Sequence, residues 1–181
     1  MEWLKNNKKN LLLVGIDGCG GAGKSTLADH ILSIATEGIV IHMDDFYLPS
    51  HERKEMPDIG GHFDWKRVLH QVIKPLSERS PAEYQRYDWD HDELAEWHHV
   101  SASGVVVVEG CYATRDDLRP YYDYTIWVDC PREVRLKRGL ERDGQEALPF
   151  WLDWMEQEDR YIEIQHPRDQ VDFIIKGTRN N

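Results

Sequence analysis

The stretch GCGGAGKS, residues 18–25, sets glycine, lysine and a hydroxyl residue at the spacing GxxxxGK[ST]. Each residue type there answers a need of polyphosphate binding. Glycines permit a tight turn whose backbone N–H groups converge on phosphate oxygens, Lys24 reaches the outer phosphates, and the Ser25 hydroxyl can ligate magnesium. The candidate nucleotide-binding positions are Gly18, Gly20, Gly21, Ala22, Gly23, Lys24, Ser25 and Thr26. Cys19 contributes its backbone, as a small residue the turn tolerates. A second element, GVVVVEG at 104–110, is an apolar run ending in Glu109, which would stand beside the loop and hold magnesium directly or through water. No NKxD segment for guanine recognition is present, which favours ATP over GTP. A third element is the acidic pair Asp44 and Asp45, set after the β-branched run IVIHM and before Phe46 and Tyr47.

These residues need elements to hold them. LLLVGID (11–17) is a short continuous apolar run, as in a buried parallel strand, and KSTLADHILSIATE (24–37) spaces Leu27, Ile31, Leu32, Ile34 and Ala35 as a helix does. GIVIHM predicts a second strand, and residues 48–62, rich in Pro, Gly and charge, predict a long functional loop. FDWKRVLHQVIKPLSE has helical spacing that Pro75 should kink or end. PAEYQRYDWDHDEL reads as a small hairpin or an extended excursion. Strands then follow at 104–110 and 121–130, helices at 131–144 and 149–165, and a last strand in QVDFIIKG. Alternating strands and helices imply an α/β fold, a parallel sheet with helices on both faces. His98 and His99 read as a polar helix end, and Trp151, Trp154 and Met155 as one core-facing helix side.

The bulk numbers narrow the function classes. At 181 residues the chain suits one domain, with no repeats and no linker-like composition shift. No apolar run approaches a membrane span, and the basic residues before LLLVG lack the length of h-region and the cleavage site of a leader. A formal charge of -11 argues against a nucleic-acid partner, because such binding needs Lys and Arg to neutralise phosphates. Three cysteines, none in a CxxC pair, fit a reduced cytoplasmic protein.

The order GIDGCGGAGKST, MDDFY, FDW, YDW, VVVVEG and DCPREVRLKRGLERD resembles the uridine kinase family and its relatives, the nicotinamide riboside kinases, pantothenate kinases and phosphoribulokinases. The resemblance runs from residue 11 to about 175. It implies a P-loop NTPase fold with a five-stranded parallel sheet and transfer of the ATP γ-phosphate onto a small-molecule hydroxyl, with ATP and Mg2+ required. It further implies one kinase domain over residues 1–181, with a substrate-binding insertion at about 46–100 and a lid at about 131–148; homo-oligomer formation stays open.

By the same resemblance, Asp44 is the residue that orients or deprotonates the acceptor hydroxyl and helps organise magnesium, and Tyr47 beside it joins the substrate side. Asp45 takes a slot that is Ser in uridine kinases and Asp in nicotinamide riboside kinases, and by itself reads as a turn carboxylate. Asp58 falls on the family's ribose-holding acid, although PDIGGHFDW keeps only the ends of that pattern. Tyr87 and Trp89 fall on the base-stacking segment, with His91 displaced by one position. Among Arg132, Arg135, Arg138 and Arg142 of the lid helix, Arg138 and Arg142 match the ATP-closing arginines, Arg138 with a transition-state role. A nucleoside heads the acceptors this implies, with nicotinamide riboside, pantothenate or a sugar as alternatives. A nucleotide sensor that has lost transfer is a further reading. A nucleoside monophosphate kinase would need a second arginine cluster, and Arg53, Arg67, Arg79 and Arg86 are scattered.

Overall fold

The computed structural model describes residues 9–53 and 58–178. Strand β1 (Leu11–Asp17) is buried along its whole length, and its successive residues serve two cores. Leu11 and Leu13 point to one face of the sheet, Leu12, Val14 and Ile16 to the other, which is why the run is apolar throughout and does not alternate. Helix α1 (Lys24–Ile34) covers the second face through Ala28 and Ile31. It ends three residues before the pattern does, where Ala35 turns extended. Strand β2 (Gly38–His42) follows, and a 3-10 turn over Met43–Phe46 carries the two adjacent acids.

The opposite face is covered by α2, a succession of an α segment Trp65–Arg67, a π-widened segment Val68–Ile73 and a last α segment Lys74–Ser77. Asp64 caps its start by accepting the Arg67 N–H at 3.1 Å. Val68, Val72, Ile73 and Leu76 are all buried on the sheet. At about 1.5–3 kcal/mol each, their burial outweighs the ~3 kcal/mol that an interior proline costs, so Pro75 ends the helix within a turn without detaching it.

Strands β3 (Ala82–Asp88) and β4 (Glu93–Val100) form an antiparallel hairpin outside the main sheet. His98 and His99 therefore lie on a strand, paired with Glu96 and Glu83, and not at a helix end. The chain returns as β5 (Gly104–Glu109), β6 (Tyr124–Asp129), α3 (Arg132–Asp143), α4 (Leu148–Gln165) and β7 (Phe173–Lys176). The main sheet has five parallel strands in the order β2-β5-β1-β6-β7. Its register sets Ile16 beside Glu109 and His42 beside Glu109, so the loops after β1, β2 and β5 leave the sheet at the same edge. That edge is where ligands bind in open α/β sheets. Among the described residues no helix is long and apolar enough to cross a membrane.

Candidate active site

The loops at that edge surround a cleft of about 1420 Å³. One end is the phosphate loop. Gly18 cannot be replaced without strain, since its φ is 143° and a Cβ there would meet the Val128 carbonyl at 2.6 Å. Gly23, at φ 101°, makes the left-handed entry into α1 that points the first helical amides at the cleft. Gly20, Gly21, Gly23, Lys24, Ser25 and Thr26 line the cleft, whereas Gly18 and Ala22 form the packed back of the loop. Their part in this geometry is to shape the turn that the other six residues present to the cleft.

Lys24 is buried, and its Nζ donates to the Cys19 carbonyl at 3.0 Å and to Cys111 Sγ at 3.7 Å. Burial works against its ammonium, but Cys111, Glu109, Glu158 and Asp17 around it outweigh that and raise it. The Ser25 hydroxyl donates to Glu109 Oε1 at 2.9 Å, and His42 Nδ1 pairs with the same oxygen at 2.6 Å. Burial pushes the Glu109 carboxyl up, yet the His42 bond, Lys24 and Ser25 together hold it below the ordinary carboxylate range. A hydroxyl and an ionised carboxylate are the hard oxygen donors magnesium takes, usually beside water and phosphate oxygens, so this pair fits the ion.

Asp44 lines the same cleft. Its carboxylate is open to the cleft yet deep between protein walls, and that surrounding raises it, with Glu109 adding and Lys24 opposing. Asp45 is turned away: its Oδ2 accepts the Tyr84 hydroxyl at 3.1 Å, a bond to the hairpin and not the turn cap its position suggests. Arg138 and Arg142 both reach the cleft from α3. Arg138 donates to the Gly21 and Gly177 carbonyls at 3.1 and 3.0 Å, and Arg142 pairs with Asp143 at 2.6 Å. Arg132 pairs outside with Asp159, and Arg135 is buried against Glu158.

The other end is an aromatic wall. Tyr47 and Trp89 lie with ring centroids 4.6 Å apart, Phe63 meets Tyr47 edge-on at 5.1 Å, and Arg53 covers the Tyr47 ring at 4.7 Å. Trp89 is 51% exposed into the cleft. Trp154, expected in the core with Trp151 and Met155, is 37% exposed and lines the cleft, because only its two helix neighbours face the buried side. The loop base is clamped by the Tyr47–Phe63 bridge, with Leu48 N–H on the His62 carbonyl at 2.9 Å.

Three expected substrate residues are not brought to this wall. Tyr87 is 2% exposed and packs behind Trp89, its hydroxyl held by Asp92 and Arg53 at 2.5 and 2.8 Å. His91 sits at the exposed hairpin tip, 3.2 Å from Asp88, whose other oxygen caps the turn. Asp58 is exposed where the chain reverses through Gly60 and Gly61, a turn that delivers Gly61, His62 and Phe63 to the cleft in its place. Two residues that sequence reasoning passed over matter as well. Asp17, fully buried behind the loop, accepts from Gly18, Tyr112 and Thr114 backbone N–H groups and from the Thr114 and Tyr161 hydroxyls. Burial raises its carboxyl against the opposing bonds from Thr114, Gly18 and Tyr161. A polar residue ending an all-apolar strand was its only signal. Glu158 of α4 reaches the loop at Gly20 and had no signal in the local sequence.

A five-stranded parallel sheet with a phosphate loop, a carboxylate-paired serine and a further acid in one cleft defines a P-loop phosphotransferase. The model of the phosphoribulokinase / uridine kinase family matches residues 13–147. The chain belongs to that family and is an ATP-dependent small-molecule kinase. It is 29% identical over 146 residues to a uridine kinase of Lactobacillus helveticus, covering 75% of this chain and 69% of that one. It is 28% identical over 202 aligned positions to a uridine kinase of Clostridium botulinum, covering 95% and 98%. In fold it is similar to a possible uridine kinase from Bacillus stearothermophilus (TM-score 0.72, 23% identity, 96% of this chain and 93% of that one). It is also similar to a D-glycerate 3-kinase from Cryptococcus neoformans (TM-score 0.64, 14% identity, 97% and 91%).

Proposed function

We propose that the chain moves the γ-phosphate of ATP onto a hydroxyl of a nucleoside. The observation that carries this reading is that Asp44 shares one cleft with Lys24 and with the Tyr47–Trp89 wall. Asp44 accepts a hydrogen bond from the acceptor hydroxyl and takes its proton as the oxygen bonds to phosphorus and the β–γ bridging bond breaks. Lys24 and the loop amides hold the phosphates; Arg138 and Arg142 close on them from α3, where guanidinium groups stabilise charge on the transferring group. Ser25 and Glu109, with Asp44 nearby, would hold Mg2+, which neutralises phosphate charge when bound. The stretch 46–100 serves the acceptor and 131–148 the lid. Trp89, backed by Tyr47, and Trp154 offer exposed faces to a planar base, and the uridine kinases to which the chain is similar support a nucleoside.

The exposed position of Asp58, outside the cleft, favours a second reading in which the acceptor is another small metabolite, nicotinamide riboside, pantothenate or a sugar, that this acid does not hold. ADP release with ATP and magnesium across a panel of nucleosides, vitamins and sugars separates the two. Turnover with uridine above all others is expected; preference for a vitamin or sugar selects the second. ATP binding with no ADP from any acceptor would overturn both.

A further inference from the structure

Glu158 belongs to none of the motifs above, yet this residue of α4 is 5% exposed and touches the phosphate loop. Its Oε1 accepts the Gly20 N–H at 2.6 Å and the Cys111 thiol at 3.4 Å, and its Oε2 accepts Arg135 Nη1 at 2.8 Å. Cys111 Sγ also receives Lys24 Nζ at 3.7 Å, so two hydrogen bonds separate Glu158 from the phosphate-binding ammonium. Arg135, itself buried, donates its Nε–H to the Cys130 carbonyl at 3.2 Å. One carboxylate thus ties the loop to α3 and α4.

The two halves of the loop have different supports. From Gly23 onward the backbone is the start of α1, and Leu27 N–H closes the first helical turn on the Gly23 carbonyl at 3.1 Å. The amides of Lys24, Ser25 and Thr26 are therefore aimed by the helix. The outer turn, Cys19 to Gly21, is closed by one backbone bond of its own, Ala22 N–H on the Cys19 carbonyl at 3.2 Å, and is otherwise held from other elements by Glu158 on the Gly20 amide and Arg138 on the Gly21 carbonyl. Lys24, which serves the outer phosphates, rests on that turn through the Cys19 carbonyl.

We infer that Glu158, neutralised by Arg135, is a positioning residue for phosphoryl transfer. It fixes the outer turn and, through Cys111, the Lys24 ammonium where the γ-phosphate reacts, while the inner amides bind the remaining phosphates without it. Displacing such groups by an ångström costs rate far more than binding. The inference rests on the kinase reading but not on which acceptor is used.

Glu158→Gln keeps the side-chain shape but has one acceptor oxygen, so Gly20 and Arg135 cannot both be served. With full-length protein and magnesium, ADP and ATP affinities are measured by calorimetry and turnover by ADP release, with uridine and with water as acceptor. The expected result is ADP affinity within about threefold of wild type, turnover down about twentyfold or more, and the preference for ATP over ADP reduced about fivefold. Arg135→Lys, which keeps the charge and loses the guanidinium fork, gives the same split less deeply. Unchanged turnover and preference, or a parallel loss of ADP affinity and turnover, overturns the inference. Should Glu158→Gln not fold, Glu158→Asp, one methylene short, must show the same split, and wild-type behaviour or parallel loss there overturns it equally. A wild type that forms no ADP with any acceptor counts against the kinase reading, and the affinity arm still decides on Glu158.

Discussion

The two ends of the cleft are built by different means. At the phosphate end, β1, the loop and α1 are consecutive in the chain, and half of the loop residues that line the cleft are glycines, which present only backbone. At the acceptor end, Tyr47, Phe63, Trp89 and Trp154 come from a 3-10 turn's edge, a loop, a hairpin tip and a distant helix, and what they offer is side-chain surface. Backbone recognition demands a fixed local path and so leaves a dense local motif. Side-chain recognition demands only that the right faces arrive together, and many sequences satisfy it.

The largest expected effect lies where the two ends meet. Asp44→Asn removes the acceptor of the hydroxyl proton, and turnover measured as ADP release should fall by about 10²–10⁴-fold with ATP affinity nearly kept. Equal loss of ATP affinity would assign Asp44 to the phosphate end instead. Because burial raises the Asp44 carboxyl, it takes up a proton at higher pH than an ordinary aspartate, and the protonated form cannot act as base. The acid limb of kcat/KM should accordingly lie above the usual carboxylate range of about 3.9 and vanish in Asp44→Asn.

Next comes stability. Asp17→Ala strands several buried donors behind the phosphate loop, and at about 1–3 kcal/mol per unsatisfied group the chain should lose at least about 3 kcal/mol in a denaturant titration. Trp89→Ala at the exposed wall should leave stability nearly unchanged while raising the acceptor KM about three- to tenfold, the ATP KM staying level. A shift in the ATP KM would mean that the ends are not separable. Smallest is Asp45→Asn, which keeps an oxygen for the Tyr84 hydroxyl: turnover within about threefold of wild type is expected, and a larger loss would give the second acid a part in the reaction.

Legibility in the sequence followed the same division. The strand, loop and helix around Lys24 and the acid-ended strand at Glu109 could be read locally, as could the α/β order of elements. Of the acceptor residues, Tyr47 and Trp89 do line the cleft, but Tyr87, His91 and Asp58 do not. Neighbours in a hairpin alternate faces and hairpin tips turn outward, and no local pattern says which ring of YDW faces a cleft. Trp154 carried the periodicity of a core residue, since a helix face is apolar whether it meets a sheet or a ligand.

What the sequence by itself determined is the phosphate end, because backbone amides are aimed by φ and ψ and those are set by glycines at fixed spacing. Only the tertiary structure decided the rest: that Asp17 and Glu158 hold that loop from behind, that Asp45 belongs to the hairpin, and that Trp154 closes the aromatic wall. Those contacts join residues as far apart as 144 positions in the chain, and a contact of that kind is specified by the packing of whole elements, not by the residues on either side of it.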